Sequence, residues 1–180
     1  MTTATDIASY VQFRHGNRYP DNRRLQKLVY FSQAWSLGWT GKPLFDEAFE
    51  AWPDGPVERE LWVCQRYSSV PRYEGQLSDD QVEIIEAVLA EYWGCTTPEL
   101  VDLSHEDVWT EARHGLPPTG RSNTRLSSQS MRRHYIGLAL SGKGPKRPAR
   151  GTSASEASVR DTARNLASRW KDGLDLLASK

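Results

Sequence analysis

Residues 50–62, EAWPDGPVERELW, set two tryptophans beside two prolines and a glycine. Proline fixes φ and lacks a backbone donor, glycine tolerates positive φ, and a residue before proline avoids the helical region. Pro53-Asp54-Gly55-Pro56 therefore turns the chain, and no helix runs through it. The bulkiest apolar side chains thus sit beside the strongest backbone breakers. Such a stretch is either a rigid corner in the core or a rigid surface that grips something.

The segments around this corner are mostly helical in pattern. Thr5 or Asp6 can cap a first short helix carrying Ile7, Tyr10 and Val11, which Gly16 ends. Asn22 can cap RRLQKLVYFSQAWSLGW, where Leu25, Leu28, Val29, Ser32 and Trp35 share a stripe that Tyr30, Ala34 and Leu37 widen. That helix is expected to be central, with Gly38 and Gly41 breaking it. Leu44, Ala48, Phe49 and Trp52 suit an extended segment or hairpin better than a helix. Pro56 suits the start of a helix over 58–67, with Leu61, Trp62 and Gln65 near one face. Ser78 and Gln81 form a capping-box pattern ahead of a helix with Val82, Ile85, Val88, Leu89 and Tyr92 inward. Thr97-Pro98-Glu99 opens another helix, 103–106 begins one that runs to Gly115, and Ser127 or Ser128 begins one carrying Met131, Tyr135 and Leu138. Trp39 and Trp93, each near a glycine at a helix end, are expected to be partly exposed.

Beyond residue 141 the composition changes. SGKGPKRPARGTSAS has almost nothing apolar and reads as a basic Gly/Pro/Ser linker, 142–154. In 155–180, Val159, Ala163, Leu166, Trp170, Leu174 and Leu177 step by threes and fours, an amphipathic helix whose stripe needs a partner. The fold class is mainly α: a compact helical domain over 1–141 with a short extended or hairpin segment near 44–57, plus a tethered C-terminal helix. From 142 onward nine Lys/Arg face four Asp/Glu, leaving 14 against 19 in the first 141 residues. An acidic body argues against a nucleic-acid groove there, while the basic tail keeps that option for KRPAR, 146–150, with Arg160, Arg164 and Lys171.

Chemistry is harder to find. The chain lacks phosphate-loop, dinucleotide, zincin and nucleophile-elbow patterns. Cys64 and Cys95 are too far apart for a C-x-x-C pair, and His15, His105, His114 and His134 show no metal-ligand spacing. His105 beside Glu106 resembles an acid–base pair, but neighbours on a helix point different ways. No catalytic residue, metal or cofactor is expected, and the chain is read as a non-enzyme. No apolar run approaches the roughly 20 residues that span a bilayer, and MTTATDIASY lacks the basic and apolar regions of a secretory signal. The expected location is the cytoplasm, without membrane contact.

Three motifs in order point further: LQKLVYFSQAW (25–35), PLFDEAFEAWPDGPVERELW (43–62) and LSHEDVWTEARHG (103–115). The set resembles the Panacea domain, over roughly residues 5–140. Leu25, Lys27, Leu28, Tyr30 and Trp35 lie in the first motif; Phe45, Glu50, Ala51, Gly55 and Val57 in the second; His105 and Trp109 in the third. The resemblance implies a small helical antitoxin, found beside diverse toxin genes in bacteria and phages, that binds a cognate protein toxin. It implies no catalysis, with a Clp-protease adaptor as the alternative. Those motif residues are expected to be mainly structural, with Trp52 and Trp62 wedging the corner against the 25–35 helix. Partner contact is assigned to Trp52 and Pro56, and in the tail to Arg164, Leu166, Trp170 and Leu174.

Overall fold

The computed structural model describes residues 2–16 and 21–149. Among them are seven helices and one hairpin: α1 (Ala4–Arg14), α2 (Asn22–Thr40), β1 (Phe49–Trp52), β2 (Gly55–Glu58), α3 (Arg59–Tyr67), α4 (Asp79–Tyr92), α5 (Thr97–Ser104), α6 (Asp107–Arg113) and α7 (Ser128–Leu140). The fold is mainly α, and the two strands fall inside the window expected to be extended. Among the described residues no helix is long and apolar enough to cross a membrane. The amphipathic stripe of 155–180 lies outside the described residues.

Helix α2 is the axis of the molecule. Every residue from Leu25 to Leu37 is buried, and α1, α4, α5, α7 and β2 all pack on it. Its polar side chains tolerate burial because each holds a backbone group or a helix carbonyl. The Gln26 amide donates to Glu58 O at 3.2 Å and accepts from Glu58 N at 2.9 Å. Gln33 does the same for the loop before β1, donating to Phe45 O and accepting from Leu44 N. Ser36 donates to Lys42 O at 2.8 Å. Each amide thus substitutes for a missing strand neighbour, where an unpaired buried group would cost about 1–3 kcal/mol.

Helix ends depart from expectation where an earlier residue offers a better bond. Thr3, not Thr5 or Asp6, caps α1, and Asp6 closes the capping box from inside the helix. Asp21 caps α2 in place of Asn22. Gly38 does not break α2, which runs on to Thr40 and ends at Gly41 with φ 73°. Gly38 marks instead the close approach of α7: a Cβ there would lie 2.7 Å from Tyr135 Cβ. Pro56 does not open α3. It sits in β2, and Glu58 caps α3 by accepting from Glu60 N and Leu61 N. Residues 103–104 complete α5, with Ser104 buried at its end, and α6 begins only at Asp107. The capping box of Ser78 and Gln81 and the cap at Ser127 are as read from the sequence.

Two further corrections concern aromatic cover. Trp39 is buried, its ring 5.2 Å from that of Trp35, whereas Trp93 is half-buried as expected. The start of the stretch read as a linker belongs to the body, whose compact unit ends at Pro148. Lys143 N donates to Leu138 O at 3.0 Å, and Pro145 is buried. Gly144 lies so close to Trp35 that a Cβ would overlap the indole.

Candidate functional site

The site is built on the hairpin. Trp52 pairs with Gly55 across the turn. Proline cannot adopt the positive φ that tight hairpin turns require, so the positive value falls on Gly55, at 87°. No other residue fits there, because a Cβ would press on Ser104 Oγ and lie 2.8 Å from Lys27 Nζ.

Beneath the turn, Lys27 is fully buried and donates from Nζ to Pro56 O at 2.9 Å. Burial pushes its ammonium down to about 7 from the usual 10.5, and only Asp54 opposes that. His105 is held below its ordinary range by burial first and by the charge of Lys27 second. It stacks on Trp109 with ring centroids 4.1 Å apart. Trp109 donates from Nε1 to Trp52 O at 2.9 Å and carries the Arg113 guanidinium 4.6 Å from its ring centroid. Arg113, 2% exposed, donates to Ala51 O and gathers the Pro117 and Gly120 carbonyls. This stack fixes the hairpin and the 117–120 loop to each other. Among the described residues His105 Nε2 and Arg113 Nε are buried without a hydrogen-bond partner.

Above the turn the surface is aromatic and cationic. Trp52 and Trp62 lie ring to ring, centroids 5.4 Å apart, and Trp62 meets Tyr67 edge-on at 6.4 Å. Trp52 Nε1 donates to Glu50 Oε2 at 2.7 Å, so the indole's one polar edge is satisfied inward. Arg59, Trp62, Val63, Arg66 and Tyr67 recur at helical spacing along the outer side of α3, opposite buried Leu61. Tyr67 is 76% exposed. Between this side of α3, the turn and residues 121–123 runs an open groove of about 570 Å³.

Residues 25–110 match a family model described as antitoxin SocA-like, Panacea domain. Over that segment the chain is similar to the Panacea domain. Neither a curated protein nor a solved structure matches the chain significantly. The matched segment takes in nearly all of α2, the hairpin, α3, α4, α5 and the start of α6.

Within the matched segment the motif residues have distinct places. Leu25, Leu28, Tyr30, Trp35, Phe45, Ala51 and Val57 are core. Lys27, Gly55, His105 and Trp109 support the turn from below, and Glu50 lies on the groove floor with 8% exposure. Of the expected contact residues, half-buried Trp52 lines the groove, but Pro56 is buried with its carbonyl held by Lys27. Arg164, Leu166, Trp170 and Leu174 lie outside the described residues. Trp52 and Trp62 are half-buried and line the groove, whereas their chain neighbours Ala51 and Leu61 are fully buried. Sequence reasoning passed over Arg59, Arg66 and Arg121. The second stripe of α3 was the available signal for the first two.

A second polar centre is built on Glu106, the residue after His105 in the third motif. Glu106 turns away from α6, whose first turn it leaves without a side-chain cap. Its Oε1 accepts from Tyr30 and Tyr135 hydroxyls at 2.5 and 2.8 Å, and Oε2 lies 2.9 Å from His134 Nε2. Burial raises its carboxyl above the usual range. The cluster ties α2, α6 and α7 together, and His105 takes no part in it.

Proposed function

We propose that this protein is the antitoxin of a type II toxin–antitoxin system, acting in the cytoplasm, where it neutralises a cognate protein toxin by binding it directly. It makes and breaks no bonds of its own. The observation that carries this reading is where the exposed aromatic and arginine face sits. Trp52, Arg59, Trp62 and Tyr67 all belong to the segment that matches the antitoxin-like family. Trp, Tyr and Arg are the residues that concentrate binding energy at protein interfaces. The tail stripe of Leu166, Trp170 and Leu174, with Arg164, supplies a second contact in this reading.

The test is coexpression with each gene adjacent to that of this chain. One neighbour is expected to arrest growth alone and to be harmless with the intact chain. Copurification of the two proteins should follow, with the toxin's level unchanged. Harmless neighbours would end the antitoxin reading. A toxin whose level falls only when this chain is present would transfer the function to a Clp-protease adaptor.

A further inference from the structure

We propose that the groove lined by Trp52 and Trp62 receives an acidic segment of the protein partner, anchored by one apolar side chain. This rests on the antitoxin reading and adds the chemistry of the partner's epitope.

Size gives the first constraint. A groove of about 570 Å³ has the volume of a small-ligand site and holds one or two side chains rather than a folded element. Its walls define the anchor. The Trp52 indole has spent its donor on Glu50, so what faces the opening at Trp52 is apolar ring. Val63, 38% exposed, and Tyr67 continue the apolar strip along α3.

Its rim defines the charge. Arg59 and Arg121 line the groove, and Arg66 follows one helical repeat beyond Arg59. Among the described residues none of the three forms an ion pair. The first 141 residues carry 14 basic against 19 acidic side chains, so these arginines run against the sign of the body. Guanidinium groups pair with carboxylates in a planar two-pronged geometry, which adds direction to attraction. A basic segment would be repelled at this rim. A nucleic acid fits less well, because its backbone needs a track of cations over several phosphates, and two arginines line this groove.

The experiment follows the indole N–H resonances of the full chain in a nitrogen-15 correlation spectrum. Assignments come from Trp52→Phe and Trp62→Phe. The probes are the capped peptide Glu-Glu-Leu-Leu-Glu-Glu, its Lys-Lys-Leu-Leu-Lys-Lys counterpart, and a short oligothymidylate. The acidic peptide is expected to move the Trp52 and Trp62 signals, less so as salt is added, and the basic peptide to leave them. In Arg59→Glu/Arg121→Glu the acidic peptide should move neither, while the other five tryptophan signals stay in place and report an intact fold. Equal response to both peptides, or to neither, overturns the proposal; response to the oligothymidylate alone makes the groove a nucleic-acid site.

The same double variant is then coexpressed with the toxic neighbour. Protection should fall by about tenfold or more. Full protection by the variant, with the wild type also protective, would remove the groove from the interface and leave the antitoxin reading intact. A wild type that never protects would remove the antitoxin reading itself.

Discussion

Lys27 is a buried cation with one carbonyl for company, and that makes it a stability-linked titration. Its folded value of about 7 lies below the ordinary 10.5. Between those values the unfolded chain binds more protons than the folded one, so stability rises with pH across that window. It is lowest once pH has fallen through the folded value. The tyrosines of this fold shift the other way: Tyr10, Tyr30, Tyr92 and Tyr135 are all raised by burial. Their contribution is lost only above the ordinary tyrosine range, near 10, so the lysine effect is read between pH of about 7 and 9. Urea unfolding of wild type should show stability increasing over that interval. Lys27→Met should flatten the increase: it removes the cost of burying the ammonium, which is largest near pH 7, and leaves Pro56 O without its donor at a cost of about 1–3 kcal/mol, so the variant loses ground to wild type as pH rises. An unchanged slope in the variant would mean that Lys27 is not the group being titrated. The neutral amine still donates to Pro56 O, so the turn keeps its support on the alkaline side.

At the scale of elements, the α2–α7 crossing is the joint most open to test. Alanine is ordinarily about 1 kcal/mol better than glycine inside a helix. At Gly38 the new Cβ would lie 2.7 Å from Tyr135 Cβ and 3.0 Å from its backbone carbonyl carbon. Neither atom can be rotated away, so α7 must move. Gly38→Ala is therefore expected to lose stability, by about 1–3 kcal/mol, and to lower the Tm; a raised Tm would show that α7 is not seated there. This glycine also marks where sequence and structure part. Gly38 looks like a breaker because periodicity records helical position and carries no information about a neighbouring helix. The α2 stripe and the box of Ser78 and Gln81 were legible because they are local, set by contacts three and four residues apart. The Gln26 and Gln33 clamps were hidden for the opposite reason, since their partners lie 32 and 11 residues away. The Trp52–Trp62 pair was legible as a corner but not in its facing. Both sides of α3 carry apolar residues, and only the packing of Leu61 decides which side turns inward.

For the whole molecule, the question is where the body ends. Composition places the boundary at 141, where glycine, proline and base replace apolar residues. The compact unit continues to Pro148, because backbone as well as side chain can cover a core. Gly144 lies on the Trp35 indole, and Pro145 is buried beside it. Trp35 is one of the largest fully buried side chains, donating from Nε1 to Tyr92 OH at 3.0 Å and meeting Tyr135 edge-on. Two truncations separate the two boundaries. A chain ending at residue 149 keeps the cover, while one ending at 141 uncovers an edge of Trp35. Uncovering some tens of square ångströms of indole, at about 25 cal/mol per Å², costs about 1–2 kcal/mol. The shorter chain should therefore unfold roughly 3–8 °C below the longer one, with a red-shifted tryptophan emission at the start of the transition. Equal Tm values would return the boundary to 141. The longer truncation then divides the binding problem, since it keeps Trp52, Arg59, Trp62 and Arg121 and removes Arg164, Leu166, Trp170 and Leu174. Partial protection against the toxic neighbour is its expected result. If the groove makes no contribution, protection should vanish with the tail; if the tail makes none, the truncated chain should protect as well as the full one.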